Sequence, residues 1–367
     1  MRIGYMPDTH AADYDAPHPG RDEVAEFIDH LLETSQMAED VGYDGLWVPD
    51  RHMRPETYVP DQMGLLSSLA TLTDEIKLGT WANVLSLYNP MRIAEQVAYI
   101  DQLSKGRFVY VPAMGYHPGY PQYFGHDPDD KFGRFIDGLE VIKEAWASSK
   151  DEPFSFDGKY HQFEEVFQSP DPYQEPRPPI WPGGQADPAI ERAGELGEGW
   201  ALDPFPLEEE TFKRQIDLYK EAAEERGNDA RIGLMRDAYV APTREEAEEV
   251  FGPIFKEELL FYYHQGILTH HPDFQSEDDF TLENLRDHMV IGNPEDCIEK
   301  MAEYEEKYDI DYCVMRFRLP KGPSLEKERE AVELFGEEVL PYFHEEDDGE
   351  WILNNEEDTE THMLAGF

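Results

Sequence analysis

Residues 89–115 read NPMRIAEQVAYIDQLSKGRFVYVPAMG, and this stretch decides the fold. Asn89 has the side chain of an N-cap and Pro90 suits the first turn, so a helix is predicted over residues 90–104. The apolar run behind it predicts a strand over residues 107–115, of the continuous kind found in parallel sheets covered on both faces. The stretch therefore indicates one helix followed by one buried parallel strand.

The same alternation continues on both sides of this stretch. Further strands are predicted over residues 2–7, 45–50, 76–84, 179–184, 199–203, 231–241 and 310–317. Further helices are predicted over residues 22–41, 63–73, 133–147, 187–197, 208–226, 243–262 and 294–307. Eight strand–helix units predict an α/β fold, a (β/α)8 TIM barrel. A doubly wound sheet is the alternative, and the barrel is favoured because no G-x-G-x-x-G motif follows the first strand.

We expect residues 1–344 to form one barrel domain. Two segments, near 148–178 and 262–290, exceed what a minimal barrel needs and are predicted to be insertions at its rim, where such segments usually shape or cover a site. Residues 345–367 are acidic and lack periodicity, so we expect them to form a loosely ordered tail.

The charge of the chain is strongly negative, with 31 Lys and Arg against 80 Asp and Glu and a formal net charge of −49. This charge should repel nucleic acid and anionic membranes, so neither is an expected partner. Because the acid is spread along the chain, we interpret it as a halophilic adaptation to molar salt, where the Debye length is about 3 Å. The two cysteines have no motif spacing, and no apolar run approaches the roughly 20 residues of a membrane helix. We therefore expect a cytoplasmic protein.

In a barrel, the chemistry takes place at the carboxyl ends of the strands. Asp50, Arg51 and His52 directly follow the second predicted strand. An imidazole transfers protons near neutral pH, so His52 is the predicted proton-transfer residue and Arg51 its catalytic neighbour. A plainer interpretation is that Asp50 caps the next loop and Arg51 pairs with a surface acid.

Two turns that contain glycine are candidate cofactor contacts. Gly183 and Gly184 lie between a strand and a helix, where exposed backbone N–H groups suit a phosphate, although an ordinary tight turn has the same sequence. Gly115, at the end of the fourth strand, allows close approach of a ligand ring, and Tyr116 comes next. An aromatic loop packed on the barrel rim is the alternative there.

Metal binding, hydrolysis and NTP hydrolysis find no support in the sequence. His270 and His271 resemble a metal-binding pair only superficially, because adjacent loop residues point apart and the sequence near them has neither an HExxH motif nor a matching carboxylate. No metal site is therefore expected. The sequence also lacks a G-x-S-x-G motif and a P-loop.

Several ordered motifs resemble those of the bacterial luciferase-like monooxygenase family, which also contains oxidoreductases that use the deazaflavin coenzyme F420. The resemblance covers roughly residues 2–343. Its motifs are 89-NPMRIAEQVAYIDQLSKGRF-108, 78-LGTWANVL-85, 156-FDGKYHQF-163, 178-PPIWPGG-184, 197-GEGW-200 and 292-GNPEDCIEKM-301.

The resemblance implies a barrel that holds reduced FMN or coenzyme F420 at its mouth. It implies a non-proline cis peptide bond within residues 80–82, over which the ring of the cofactor would lie. It also implies a homodimer and, for a flavin enzyme, a separate flavin reductase. The residues that match cofactor-binding positions, or that lie beside them, are Asp50, Thr80, Trp81, Asn83, Met114, Gly115, Tyr116, Arg134, Gly183, Gly184 and Gln185.

Two departures from the family pattern leave the reaction open. Arg51 stands where luciferases have the first histidine of an EHH triplet, and Met114 stands where they have an arginine for the phosphate. We expect a monooxygenase that uses reduced FMN and O2 to oxygenate a small organic substrate. The first alternative is F420-dependent hydride transfer, and the second is a non-catalytic flavin-binding protein. A barrel enzyme that acts on sugars or phosphates through the carboxylates Asp8, Asp50 and Asp203 is a further alternative.

Overall fold

A computed structural model of the chain describes residues 1–115, 117–206, 208–268 and 271–344. The predictions for Tyr116, His270 and the segment 345–367 concern residues that lie outside the described ones. Among the described residues, no helix has both the length and the apolar character that a membrane span requires.

Strands and helices alternate along most of the described chain. The strands are Arg2–Tyr5 (β1), Gly45–Val48 (β2), Lys77–Thr80 (β3), Asn83–Val84 (β4), Phe108–Val109 (β5), Pro112–Ala113 (β6), Phe154–Asp157 (β7), Gln162–Val166 (β8), Trp200–Leu202 (β9), Ile232–Val240 (β10), Val290–Gly292 (β11) and Tyr312–Arg316 (β12). The helices are Arg21–Asp40 (α1), Gln62–Leu72 (α2), Pro90–Ser104 (α3), Tyr120–Tyr123 (α4), Lys131–Ala147 (α5), Asp187–Leu196 (α6), Glu209–Arg226 (α7), Arg244–His264 (α8), Leu282–Leu285 (α9), Pro294–Tyr308 (α10), Leu325–Glu338 (α11) and Leu340–His344 (α12).

The parallel strands close into a barrel. The central sheet has the order β10-β12-β1-β2-β3-β5, and β9 pairs with β10. The gap between β5 and β9 is filled by residues 179–183, because Tyr110 N–H donates to Pro179 C=O at 2.9 Å and Ala201 N–H donates to Pro182 C=O at 3.2 Å. The two prolines lack N–H groups, so this predicted fifth strand makes only isolated bridges, at Ile180 and Gly183. The predicted TIM barrel is confirmed.

The third and fourth predicted strands are each interrupted. The prediction of one continuous strand over residues 76–84 is wrong, because a cis peptide bond between Trp81 and Ala82 separates β3 from β4. Its place agrees with the one that the family resemblance implied. The hydroxyl of Thr80 bridges the interruption, since it accepts from Val111 N–H at 2.8 Å and donates to Val111 C=O at 3.0 Å. The fourth strand is correspondingly split into β5 and β6.

The inside of the barrel is a packed aromatic core. Trp47 is fully buried, and a Cβ atom at Gly4 or Gly79 would lie 2.3 Å from its indole ring. The ring lies 6.4 Å from Trp181 and 5.4 Å from Tyr312, centroid to centroid. Because side chains fill the interior, a ligand has to bind at the mouth, where the carboxyl ends of the strands lie.

The segments at the barrel rim are only partly as predicted. An antiparallel hairpin of β7 and β8 confirms the β excursion expected within residues 148–178. In the segment 262–290, single helical turns lead to β11, which pairs with the last residues of β10. The helices α11 and α12 were not predicted, because α11 is rich in charged residues and carries a narrow apolar stripe. Its buried side includes Ala331, Val332 and Phe335.

Candidate active site

Asp50 is the centre of a hydrogen-bonded cluster at the mouth of the barrel. It follows β2 and is 7% exposed. Its carboxylate accepts from Val84 N–H at 2.9 Å, from the Tyr88 hydroxyl at 2.9 Å and from the amide of Asn83 at 3.3 Å. Burial and the charge of Asp50 raise the pKa of Tyr88, so this phenol keeps its proton. The carboxylate is therefore fixed in place by donors from the next strand and its loop.

His52 lies against this carboxylate. Its Nε2 atom is 2.7 Å from Asp50 Oδ1 and 2.6 Å from the Tyr88 hydroxyl oxygen. Phe124 covers one side of the imidazole with ring centroids 4.9 Å apart, and the His52 N–H donates to the Tyr120 hydroxyl at 3.3 Å. The ring is thus oriented by two oxygen atoms within an aromatic wall. Such an arrangement suits a group that takes up and returns a proton.

Arg51, the other predicted catalytic residue, points away from His52 and into the structure. Its guanidinium forms a two-pronged pair with Asp8, with Nη1–Oδ1 at 2.7 Å and Nη2–Oδ2 at 3.0 Å. Burial alone would raise the pKa of Asp8, but the charge of the Arg51 guanidinium holds it well below its ordinary value. Burial and the charge of Arg51 lower the pKa of His10 to about 3, so this imidazole is neutral. The contacts of Arg51 are those of a positioning residue, and its catalytic role stays a prediction.

A second buried cluster of charges lies beside the first. Arg316, at the end of β12, pairs with Asp237 at 2.5 Å and with Glu258 of α8 at 3.5 Å. The Tyr14 hydroxyl donates to the other oxygen of Glu258. Burial raises the pKa of Glu258 despite the charge of Arg316. Tyr14 and Glu258 could not be found from the sequence, because they are 244 residues apart and carry no motif.

Three predicted cofactor residues form the floor of the mouth and already have protein partners. The Thr80 hydroxyl bonds to the Val111 backbone, and the Trp81 Nε1–H donates to Leu202 C=O at 3.2 Å. Asn83 is 1% exposed and accepts from the Tyr110 hydroxyl at 3.0 Å. Their side chains therefore shape the surface on which a ring could lie.

The space beside Gly115 is occupied by protein. Gly115 has φ +84°, and a Cβ atom added there would lie 2.5 Å from Cγ1 of Val84. A side chain therefore makes the close approach that the sequence analysis assigned to a ligand ring. The carbonyl oxygen of neighbouring Met114 accepts from the Ser86 hydroxyl at 3.0 Å.

In the turn that was predicted to bind a phosphate, some backbone groups are already hydrogen-bonded to neighbouring parts of the barrel. Gly183 N–H donates to Pro112 C=O at 2.9 Å, so the prediction of an exposed N–H group is wrong for this residue. The next residue, Gly184, accepts at its carbonyl from Trp200 Nε1–H at 2.7 Å. Gln185 donates to Asp203 at 2.6 Å, just before α6 begins without a side-chain cap. In the first turn of α6, Pro188 has no N–H group, and the N–H groups of Ala189 and Ile190 donate to Ala186 C=O. The N–H of Asp187 is therefore the helical donor that remains among the described residues of this turn.

Arg134, a predicted phosphate contact, is partly exposed. It lies in the first turns of α5, and its Nε–H donates to Ser86 C=O at 2.9 Å. No hydrogen bond or ion pair engages its two terminal amino groups within the part of the chain that the structure describes. Burial lowers the pKa of Arg134, but a guanidinium remains charged at neutral pH. Arg192 of α6 lies over the Phe132 ring of α5 at 5.1 Å, and the sequence analysis missed it.

Comparisons with known proteins identify the family. The model of the luciferase-like monooxygenases matches residues 1–309. The oxygenase component of a flavin-dependent trigonelline monooxygenase from Acinetobacter baylyi is 26% identical over 336 residues, which are 87% of this chain and 91% of that protein.

Solved structures share the fold. The oxygenating constituent of 3,6-diketocamphane monooxygenase from Pseudomonas putida, in complex with FMN, superposes with a TM-score of 0.73 at 20% identity, over 93% of this chain and 98% of that one. An F420-dependent secondary alcohol dehydrogenase superposes with a TM-score of 0.70 at 17% identity, over 92% of this chain and 98% of that one. With the match of the family model, these findings show that the chain belongs to the luciferase-like monooxygenase family.

Proposed function

We propose that this protein is the oxygenase of a two-component system and uses reduced FMN and O2 to oxygenate a small organic substrate. The observation that carries the proposal is the position of His52 at the barrel mouth, between the Asp50 carboxylate and the Tyr88 hydroxyl. Family membership makes the chain one of a group of flavin- and F420-dependent oxidoreductases. The relative from Acinetobacter baylyi is itself an oxygenase component, which supports a separate flavin reductase as the partner.

The residues of this chain can be assigned to parts of FMN. The Trp81–Ala82 peptide and Asn83 form the surface for the ring, and Arg134 with the turn at Gly184 and Gln185 receives the phosphate. The observation that fits a phosphate is that the terminal amino groups of Arg134 have no hydrogen bond or ion pair to any residue that the structure describes. The bound flavin supplies the redox chemistry with O2, while the protein orients it and excludes water.

His52 holds or moves a proton at Nε2 in this proposal. Asp50 and Tyr88 fix the ring so that no reorientation is needed during turnover. Arg51 supports them indirectly, since its pairing with Asp8 anchors the chain between Asp50 and His52. The aromatic wall made by Tyr88, Phe124 and Tyr120 suits an apolar or aromatic substrate.

F420-dependent hydride transfer is the second candidate. An acid beside a histidine resembles the pattern of F420 enzymes, and Asp50 and His52 are in contact here. The absence of an arginine at Met114 weakens the likeness to luciferases in particular. The same fold occurs in an F420-dependent alcohol dehydrogenase.

The setting of the protein is also a proposal. Family resemblance supports a homodimer, and the formal net charge of −49 supports a protein adapted to molar salt. Two buried, unpaired cysteines agree with the reducing cytoplasm.

An anaerobic binding titration in molar KCl tests the proposed function. Reduced FMN, oxidised FMN, riboflavin and F420 are titrated separately and followed by fluorescence. We expect reduced FMN to bind most tightly. The variant Arg134→Gln should lose roughly ten- to a hundredfold of its affinity for FMN, since a charged hydrogen bond contributes about 1.5–3 kcal/mol, but none for riboflavin, which has no phosphate. Tighter binding of F420 would support hydride transfer, and binding of none of these would contradict both functions.

A further inference from the structure

The two ends of the 262–290 segment meet in space. His271 and Asp273 lie early in it, and His288 directly precedes β11. One donor atom from each of these three side chains lies within 4.8 Å of the others. The expectation that no matching carboxylate lies near His271 is therefore wrong, because Asp273 is two residues further along the chain and lies beside it. His288 is 17 residues from His271 and forms no motif with it. The three residues are called the insertion trio below.

We propose that the insertion trio binds a divalent transition metal ion such as Zn²⁺, which fastens the two ends of the 262–290 segment together. Two imidazoles and one carboxylate are ligands that Zn²⁺ commonly has in proteins. The trio shares no residue with the proposed flavin site, so this inference does not depend on the proposed function.

The separations within the trio suit one ion. His288 Nε2 is 3.1 Å from Asp273 Oδ2, and His271 Nδ1 is 3.9 Å from the same oxygen. In a tetrahedral site with bonds of about 2.0–2.1 Å, neighbouring ligand atoms are about 3.3–3.4 Å apart. The two observed distances lie on either side of this value. His271 Nδ1 also accepts from the Asp273 backbone N–H at 3.3 Å, and a bond to the ion would replace this long hydrogen bond as the side chains rotate into place.

The surroundings of the trio are those of a partly enclosed site. The Phe274 ring lies 5.2 Å from the His271 ring and 5.1 Å from the His288 ring, so an apolar wall backs both imidazoles. His288 is buried, whereas Asp273 is exposed and leaves a side open for entry of the ion and for a water ligand.

The local charge also favours a cation. A cavity of about 340 Å³ adjoins Asp273 and His288, and its lining has five carboxylates and three Lys or Arg side chains. Lys300 is paired with Glu303 at 2.9 Å and Lys307 with Glu209 at 2.6 Å, which offsets their repulsion of a metal ion.

Metal content and affinity test this proposal. The full chain is stripped with a chelator and then titrated with Zn²⁺ against a fluorescent zinc indicator, in excess Mg²⁺ to occupy the many surface carboxylates. We expect one tightly bound Zn²⁺ per chain. Asp273→Asn keeps an oxygen that accepts from His288, and His271→Gln keeps a polar side chain. Each should weaken Zn²⁺ binding by at least about tenfold.

His264→Ala is the matched control, because His264 belongs to an exposed histidine–carboxylate pair with Glu277 within the same 262–290 segment. This variant should bind Zn²⁺ as the wild type does. Hydrogen exchange gives a second readout, in which Zn²⁺ slows exchange across residues 262–290 in the wild type and not in Asp273→Asn. If the wild type retains no Zn²⁺, or if Asp273→Asn binds it equally well, the proposal is overturned.

Discussion

At the scale of single residues, the proposed proton transfer depends on how His52 is held. Its Nε2 atom lies within 2.7 Å of a carboxylate oxygen and within 2.6 Å of a phenol oxygen. The sequence indicated His52 and Asp50 from their place after a strand. It did not indicate Tyr88, which is 36 residues beyond His52 and is brought to it by the folded third strand and its loop.

Replacing His52 with alanine should lower turnover by about 10²–10⁴-fold, because a positioned acid or base contributes about that much. The affinity for reduced FMN should stay within a factor of a few, since Arg134 and the mouth floor bind the cofactor in this proposal. Steady-state kinetics and a binding titration measure the two quantities. His18→Ala, at an exposed histidine, is the control and should leave both unchanged. Unchanged turnover in His52→Ala would remove His52 from the reaction.

Asp203 should make stability depend on pH. Burial raises its pKa to about 6, above the value of about 3.9 in an unfolded chain. The folded state therefore binds the proton of the Asp203 carboxyl more tightly than the unfolded state does. This difference stabilises the folded state fully below about pH 4, and the stabilisation is lost as the pH rises through 6. Asp203→Asn should be more stable than the wild type at pH 7–8, by up to about 2–3 kcal/mol, and the difference should vanish near pH 4.

Denaturant unfolding of both proteins between pH 4 and pH 8 at constant salt measures this difference. A difference that does not change with pH would show that the Asp203 carboxyl titrates alike in the folded and unfolded chain. The comparison cancels the contributions of the other carboxylates, because they are common to both proteins.

At the scale of elements, apolar periodicity and caps located most strands and helices. Asn89 does accept from Met91 N–H at 3.0 Å, and α3 begins at Pro90 as predicted. Local patterns could not show that the Thr80 hydroxyl bonds to the Val111 backbone where regular pairing of the strands is interrupted. They also could not show that residues 179–183 bridge to Tyr110 on one side and Ala201 on the other without forming a regular strand. These features depend on neighbours that the sequence does not place side by side.

The turn after the fourth strand gives a prediction about one such neighbour. Gly115→Ala should destabilise the fold in two ways, through its positive φ, which costs about 1 kcal/mol, and through the clash with Val84, which adds about 1–3 kcal/mol. Gly125→Ala is the control, because Gly125 has φ +75° and no atom within 4 Å of an added Cβ. Urea unfolding should show a larger loss for Gly115→Ala. Equal losses would mean that Val84 moves aside at no cost.

At the scale of the whole molecule, the barrel and its family could be recognised from sequence, because strand order and motif order survive at low identity. The clusters of charged and titratable residues could not be recognised from sequence. Their members meet only after the barrel closes, as Arg316 does with Glu258 and His271 does with His288. For the same reason, the sequence could not show that the two ends of the 262–290 segment lie close together.

The net charge of −49 predicts a strong dependence of stability on salt. Raising KCl from about 0.01 M to 1 M shortens the Debye length from about 30 Å to 3 Å and should therefore weaken the self-repulsion of the folded state. The thermal midpoint should rise by several degrees over this range, which differential scanning calorimetry measures. Sucrose, which is excluded from the protein surface but does not screen charge, is the comparison. A midpoint that is equally high without salt would contradict the halophilic interpretation.

Isotope tracing tests the proposed oxygenase function most directly. The protein is incubated in molar KCl with ¹⁸O2 and with reduced FMN that a flavin reductase supplies. A panel of small aromatic and aliphatic compounds is offered as substrates, and the masses of the products are measured by mass spectrometry. We predict a product that carries one ¹⁸O atom and is formed at a far lower rate by His52→Ala. In a parallel assay, the protein receives deuterated reduced F420 in place of FMN and no O2. A product that forms in that assay and carries deuterium would contradict the oxygenase function.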